Sequence, residues 1–210
     1  DIHDTYRVNR AGKGTHALVM RGVDNLKRYG VEFNTLTVVN DKVAAAPLKV
    51  YNFLKSIGSC YMQFIPLLER KAGESTKEGL YLVNPEYDDI AQVTSWSATP
   101  QAYGLFLTDI YDHWVKHDVG KIFIQLFDVT LGSWYGQPPG LCIFSKNCGH
   151  SLAMESNGDL YNCDHYVYPE NKLGNIHNKT IKSMNHSLEA HEFGLYKSEN
   201  ISINCKTCDY

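Results

Sequence analysis

The placement of its cysteines constrains this chain more than any other sequence feature. One of the six, Cys60, stands alone, and the others fall in the last third with the spacing Cys142-x5-Cys148-x14-Cys163-x41-Cys205-x2-Cys208. Thiolates bind soft metals and iron–sulfur clusters, and a Cys-x-x-Cys turn places two sulfurs on one metal or cluster. The spacing alone predicts a metal site, but it leaves iron–sulfur, structural zinc and buried free thiols open.

A hairpin signal lies between two of these cysteines. Asn157-Gly158 separates residues 151–155 from residues 159–166, and Asn-Gly favours a tight β-hairpin turn because both residues tolerate positive φ. We expect such a hairpin to bring Cys148 and Cys163 close together.

The first two-thirds of the chain alternates helix and strand signals. Thr15 is a candidate N-cap, Pro47 suits a first helical turn, and Thr99-Pro100 starts the strongest amphipathic pattern. The apolar stripe of this last helix, which we expect to be core, consists of Tyr103, Phe106, Leu107, Ile110 and Trp114.

Two near-continuous apolar runs, residues 31–40 and 60–66, are typical of buried strands. Alternation with helices predicts an α/β fold with a parallel sheet. Two parallel strands do not form a stable sheet alone, so we expect missing neighbours. We interpret residues 69–87 as an inserted polar loop and residues 128–140 as a link to the next module.

Charge and hydropathy argue against two classes of partner. The formal net charge is −3, from 20 basic and 23 acidic residues, so no basic excess favours nucleic acid. No apolar run approaches the ~20 residues that a membrane span needs. We interpret the cysteines as metal ligands or free thiols in a reducing compartment, the cytoplasm. A first residue Asp1 and an end just after Cys208 are typical of a piece cut at both ends.

Residues 148–166, which include Cys163-Asp164-His165-Tyr166, closely resemble the auxiliary-cluster module of anaerobic sulfatase-maturating enzymes. These are radical S-adenosylmethionine (SAM) proteins with a C-terminal extension called SPASM. Residues 173–176 and the final Cys-x-x-Cys are similar to the same module in the same order. Earlier stretches resemble segments of the family's barrel: residues 3–7 follow its fourth strand, and residues 31–40 and 63–66 match its fifth and sixth strands.

The resemblance implies an α/β fold in which residues 1–140 form the C-terminal part of a partial (β/α)6 radical SAM barrel. Residues 141–210 would then be a small Cys-rich SPASM module with a β-hairpin. It also implies oxidation of a Cys or Ser in an unfolded sulfatase polypeptide to formylglycine. The implied cofactors are S-adenosylmethionine and [4Fe–4S] clusters, with an external electron donor as partner.

The resemblance also implies roles for single residues. By this match Asp164 is the base that removes a proton from the substrate, and Cys142, Cys148 and Cys163 bind a first auxiliary cluster. Cys205 and Cys208 would supply half of a second cluster. Without the resemblance, Asp164 is more typical of a strand-end residue that caps a turn than of a catalytic base.

Two further residues correspond to the SAM site of the family. Arg7 matches the arginine at the SAM carboxylate, and Leu68 matches a position that lines the adenine. The alternatives are an ordinary surface arginine and a core leucine. Cys60 has no counterpart in the family, and we expect a buried thiol there.

Departures from the family pattern keep other functions open. The 210 residues contain no Cys-x3-Cys-x2-Cys loop, which holds the radical-generating cluster in that family, so we predict that the chain alone is inactive. One alternative is a non-catalytic zinc- or thiol-bearing module that binds peptides. Another is a SPASM-type radical SAM enzyme that modifies a different peptide.

Overall fold

The computed structural model of the protein describes residues 2–73, 83, 87, 90–149 and 151–208. The chain divides into two compact units, Asp1–Asp128 and Val129–Tyr210. This division falls after residue 128, earlier than the expected boundary after residue 140. The assignment of residues 1–140 to a barrel and of residues 141–210 to a SPASM module stays a prediction.

The first unit is an α/β unit. Its helices are α1 (Ile2–Tyr6), α2 (His16–Arg28), α3 (Asp41–Ala44), α4 (Pro47–Ser56) and α5 (Pro100–His117), and α6 (Gln125–Trp134) begins in it. Its strands are β1 (Thr35–Val39), β2 (Tyr61–Pro66), β3 (Arg70–Ala72), β4 (Ala91–Val93) and β5 (Phe123–Ile124).

A parallel sheet of order β1-β2-β5 forms the centre of this unit. Residues Thr35–Val39 pair with Met62–Pro66 in continuous register, as the apolar runs predict. The expectation of only two parallel strands is wrong, because β5 adds a third through Tyr61 and Met62. Two residues are too short a run to stand out in sequence, so β5 is defined by its partner strand.

The apolar stripe of α5 forms the middle of the core. Phe106, Ile110 and Trp114 are buried, and the other two residues of the predicted stripe pack against them. The Trp114 indole N–H donates to the Ile122 carbonyl oxygen at 2.7 Å, so its polar atom is satisfied inside the core. The prediction that these aromatic side chains are structural is confirmed.

The predicted polar loop over 69–87 begins with a strand instead. Arg70–Ala72 pairs antiparallel with Ala91–Val93, and most of the intervening loop prediction falls on residues outside the described ranges. Cys60, expected to be a buried thiol, is exposed. It lies just before β2, where the chain reaches the surface before it enters the sheet.

The second unit contains a small antiparallel sheet of order β6-β7-β8: β6 (Ala153–Met154), β7 (Asp159–Tyr161) and β8 (Lys172–Asn175). Strands β6 and β7 form the predicted hairpin, and Gly158 has a φ of +86° at its turn, a conformation that favours glycine. The Asn175 side-chain amide donates to the Asn157 carbonyl oxygen at 3.0 Å, which ties the turn to β8.

Helices complete the second unit: α7 (Ile181–Asn185), α8 (Leu188–Glu199), α9 (Ile203–Lys206) and two 3₁₀ turns, Cys142–Phe144 and Pro169–Asn171. The predicted link over 128–140 is partly helical, because α6 continues to Trp134. Across the described ranges, no helix has both the length and the apolar character needed to cross a bilayer.

Candidate functional site

Three predicted ligand cysteines lie around the small sheet of the second unit. Cys142 opens a 3₁₀ turn, Cys148 lies between that turn and β6, and Cys163 follows β7. All three thiols are free: Cys142 is exposed, and Cys148 and Cys163 are half-buried. Pairing of the hairpin strands stops at Ala153 and Tyr161, so close approach of Cys148 and Cys163 stays a prediction.

Cys163 is the centre of a compact polar group with its two successors. Its thiol donates to Asp164 Oδ1 at 3.3 Å, and the His165 backbone N–H donates to its Sγ at 3.5 Å. His165 Nδ1 lies 3.1 Å from the same Asp164 oxygen. The Asp164 side chain is 73% exposed, so its second oxygen is open to an incoming molecule.

Contacts within this group raise the pKa of Cys163 and lower the pKa of Asp164. Burial raises the pKa of the Cys163 thiol, and the Asp164 carboxylate and the Cys142 sulfur raise it further, against the His165 backbone N–H. The thiol hydrogen bond lowers the pKa of Asp164, helped by His165 and opposed by desolvation, so that this carboxyl is a charged acceptor at neutral pH.

The spacing of possible ligand atoms bears on the kind of metal. Within the part of the chain that the structure describes, only Cys163, Asp164 and His165 form a group of three His, Cys, Asp or Glu ligand atoms within 4.8 Å of one another. Four sulfurs on one zinc ion lie ~2.3 Å from the metal and hence close together. A cluster is more permissive, because each cysteine binds a different iron.

The last two cysteines belong to one helical turn. Cys205 lies in α9 and Cys208 just after it, and both are exposed free thiols. The Ser202 hydroxyl caps α9 by accepting from the Cys205 backbone N–H at 3.3 Å, which fixes the turn that presents the pair. Two sulfurs on one turn can serve a single metal or cluster.

The two predicted SAM contacts lie in the first unit. Leu68 follows β2 and is 68% exposed in this chain, which favours the predicted ligand surface over the alternative of a core leucine. It stands just past the carboxyl end of a parallel strand, where such sheets bind ligands. Arg7 follows α1 and is exposed, and Thr15 fixes its backbone: the Thr15 hydroxyl donates to the Arg7 carbonyl oxygen at 2.9 Å rather than capping α2.

One residue of the site, His165, is missing from the sequence-based assignment. Its imidazole and its backbone N–H both contact the Cys163–Asp164 pair, yet only the two preceding residues carry a predicted role. A signal was present in the sequence, since His165 directly follows a cysteine and an aspartate, and all three residue types can bind metals.

A family model for SPASM, an iron–sulfur cluster-binding domain, matches residues 142–209. The chain is 46% identical over its whole length to a serine-type anaerobic sulfatase-maturating enzyme of Bacteroides thetaiotaomicron, of which it covers 50%. It is 31% identical over its whole length to a cysteine-type enzyme of Clostridium novyi and covers 52% of it.

A solved structure supports the same relationship. Native anSMEcpe with bound AdoMet and the Cp18Cys peptide superposes with a TM-score of 0.81 at 29% identity, over 100% of this chain and 54% of that one. The chain therefore spans about half the length of the relatives that it matches.

Proposed function

The chain belongs to the family of anaerobic sulfatase-maturating enzymes, and from this we propose that it forms the substrate-oxidising half of such an enzyme. The proposed reaction converts a serine of an unfolded sulfatase polypeptide to formylglycine, since the relative at 46% identity is of the serine type. The observation that carries the proposal is the Asp164 carboxylate, exposed and 3.3 Å from the Cys163 sulfur.

The donor atoms present fit iron–sulfur clusters. Cys142, Cys148 and Cys163 are free thiols in one compact unit. Thiolates are the ligands that [4Fe–4S] clusters use. We propose that these three bind one auxiliary cluster and that Cys205 and Cys208 belong to a second.

The proposed chemistry divides the oxidation into three transfers. When bound, S-adenosylmethionine and the clusters supply a hydrogen-atom acceptor and electron acceptors. The –CH₂–OH group then loses one hydrogen atom, one proton and one electron, which leaves the aldehyde of formylglycine. Asp164 takes the proton, and the contact of its Oδ1 with His165 Nδ1 keeps the carboxylate oriented. The proton would thus leave through Asp164, and the electron through the cluster that the adjacent Cys163 would bind.

In the first unit we propose that Arg7 binds the SAM carboxylate and that Leu68 covers the adenine. A guanidinium presents a fork that matches a carboxylate, and an exposed leucine at a strand end offers an apolar face. We expect Arg7→Lys to raise the KM for SAM more than it lowers kcat, because a lysine cannot make both hydrogen bonds. Equal KM values would contradict this assignment.

We also propose the setting in which the enzyme works. Free thiols in cluster ligands require a reducing compartment, so we place the protein in the cytoplasm, with an external electron donor as partner.

The decisive test uses the full-length polypeptide that carries this sequence, purified without oxygen. Peptides with Ser-x-Pro-x-Arg and Cys-x-Pro-x-Arg are incubated with SAM and reductant, and formylglycine is followed by mass spectrometry. We expect Asp164→Asn to reduce formylglycine formation by about 10²–10⁴-fold while cluster absorbance stays unchanged. Glu170→Gln, an exposed carboxylate on the same unit, is the matched control and should keep full activity.

Other outcomes would reject parts of the proposal. Full activity of Asp164→Asn would remove the proton transfer from this residue. Stoichiometric zinc without the brown colour of clusters would favour a structural module centred on Cys163, Asp164 and His165. Modified peptides lacking formylglycine would indicate another peptide-modifying SPASM enzyme. The 210 residues alone should form no deoxyadenosine, since they lack Cys-x3-Cys-x2-Cys.

A further inference from the structure

Helix α8 contacts the loop that carries Cys148. The Cys148 backbone N–H donates to the Gly194 carbonyl oxygen at 2.9 Å, although that oxygen belongs to the helix backbone. The Cys148 carbonyl group also lies close to α8: a Cβ at position 194 would lie 2.5 Å from the Cys148 carbonyl oxygen. Such a distance is far below van der Waals contact, so this position requires glycine while the loop keeps its place.

The same helix also holds the segment that carries Cys142. The Lys197 ammonium donates to the Cys142 carbonyl oxygen and, at 3.0 Å, to the Ile143 carbonyl oxygen. At the next residue, the Ser198 hydroxyl donates to Asn147 Oδ1 at 3.1 Å. The loop between the first two cysteines is thus attached to α8 at both ends.

A third contact joins α8 to the turn that carries Cys163. The Tyr166 backbone N–H donates to the Cys163 carbonyl oxygen at 3.1 Å and closes this turn. The Tyr166 ring meets the Phe193 ring edge to face, with centroids 5.5 Å apart. Consecutive positions of one helix, 193 and 194, therefore contact two different ligand segments.

We propose that α8 positions the three cysteines of the first auxiliary cluster and that Lys197 adjusts the charge of that cluster. The inference rests on the proposed function, because it assumes that these cysteines are cluster ligands. Ordinary helix packing would explain one contact, but here every segment with a proposed ligand has its own contact. The ammonium also places a positive charge on the backbone of the segment that carries Cys142, and positive charge near a cluster favours the state with one more electron.

The first test replaces helical glycines by alanine in the full-length polypeptide that carries this sequence. Gly194→Ala should displace the Cys148 loop and lower iron by about one cluster, roughly four atoms per chain. Gly104→Ala is the matched control: it also lies inside a helix, and a Cβ there meets nothing within 4 Å. The control should keep its iron, because alanine is the better helix former.

The second test separates positioning from simple packing through the reduction potential. Lys197→Gln keeps a hydrogen-bond donor but removes the charge, so the potential of one auxiliary cluster should shift to lower values in a redox titration followed by electron paramagnetic resonance. Lys182→Gln, an exposed lysine of α7, should leave every potential unchanged.

These measurements separate the inference from its premise. Full iron in Gly194→Ala together with an unchanged potential in Lys197→Gln would overturn the role of α8 while the proposed function stands. If the wild-type protein loads no auxiliary cluster, the proposed function fails, and the role of α8 fails with it. If Gly194→Ala does not fold, the potential of Lys197→Gln alone decides.

Discussion

The two units of this chain hold their structure by different means. The first buries an extended apolar cluster around α5 and the parallel sheet. Among the residues that the structure describes, the buried apolar side chains of the second are Leu160, Leu173 and Met184, and hydrogen bonds in loops and helix caps hold much of its backbone. The contrast indicates that apolar burial specifies the first unit, and it leads us to expect that a bound group helps to stabilise the second.

Energetic scales support this difference. Burial of apolar surface contributes ~25 cal/mol per Å², so three buried side chains cannot offset the conformational entropy of a unit of this size. Small units with such cores are commonly stabilised by metals or disulfides, and the cysteines here are free. Cluster binding and folding of the second unit should therefore be coupled.

Iron removal should have the largest effect of all. Metal binding contributes of order 10 kcal/mol to small metal-dependent domains, so an iron-free protein should lose the second unit and keep the first. Hydrogen exchange would measure this, with fast exchange in β7 and β8 and continued protection in β1, β2 and α5. Equal protection of both units without iron would break the comparison.

Truncation of the first core should come next. Trp114→Ala should destabilise the first unit by ~3–5 kcal/mol, because it removes a fully buried ring and its hydrogen bond to Ile122. Denaturant unfolding followed by hydrogen exchange would assign the loss to the first unit. Trp134→Ala, at a tryptophan that is 86% exposed, should change stability by less than ~0.5 kcal/mol.

A buried polar group in the first unit should have a smaller effect that depends on pH. Asp118 accepts from the Tyr51 hydroxyl at 2.7 Å and from Lys55 Nζ at 2.6 Å. Burial alone would raise the pKa of Asp118, but these two partners outweigh it, and its pKa lies below the ordinary 3.8. Because the folded pKa is lowered, its stabilisation is complete above 3.8 and disappears as the pH falls through the folded value.

Asp118→Asn should therefore cost about 1–3 kcal/mol at neutral pH and progressively less in acid. Asp109→Asn, at an exposed position of α5, the helix that ends just before Asp118, is the control and should show no such trend. A pH-independent loss would mean that shape rather than charge makes Asp118 important. The thermal midpoint between pH 7 and about pH 2, a range that covers the window below 3.8, is the measurement, with hydrogen exchange to identify the first unit.

Loss of a helix cap should have the smallest effect on stability, and it compares the two units most directly. The Thr99 hydroxyl oxygen accepts from the Ala102 N–H in α5, and the Ser187 oxygen accepts from the Ala190 N–H in α8, both at 3.2 Å. Each change to alanine should cost about 0.5–2 kcal/mol. We expect Thr99→Ala to affect only the first unit and Ser187→Ala to lower iron content as well. Equal effects on iron would argue against α8 as the holder of the ligands.

Local signals explain which parts of the fold could be predicted. The Thr99-Pro100 start of α5 and the Asn157-Gly158 turn depend on a few neighbouring residues, so sequence patterns identify them. Strands β3, β4 and β5 have two or three residues each and exist only through their partners. Short strands of this kind leave no periodicity to detect.

The site shows the same limit. The family resemblance identified candidate cysteines and Asp164, and the structure adds the contact of Asp164 with Cys163. The sequence cannot identify Gly194, because the need for glycine arises from the Cys148 carbonyl group, which is distant along the chain. The sequence also cannot decide whether Leu68 is buried or exposed, because a leucine at the end of a strand suits either a core or a ligand surface.

The Asn157-Gly158 turn also has a consequence in time. A hairpin closed by so short a connection forms within about 1–10 μs, long before distant segments find each other. Its second strand leads directly into Cys163, so transient formation of the hairpin brings the sulfur beside Asp164 onto a short-lived native-like scaffold early in folding. A cluster that binds this sulfur would then retain the hairpin.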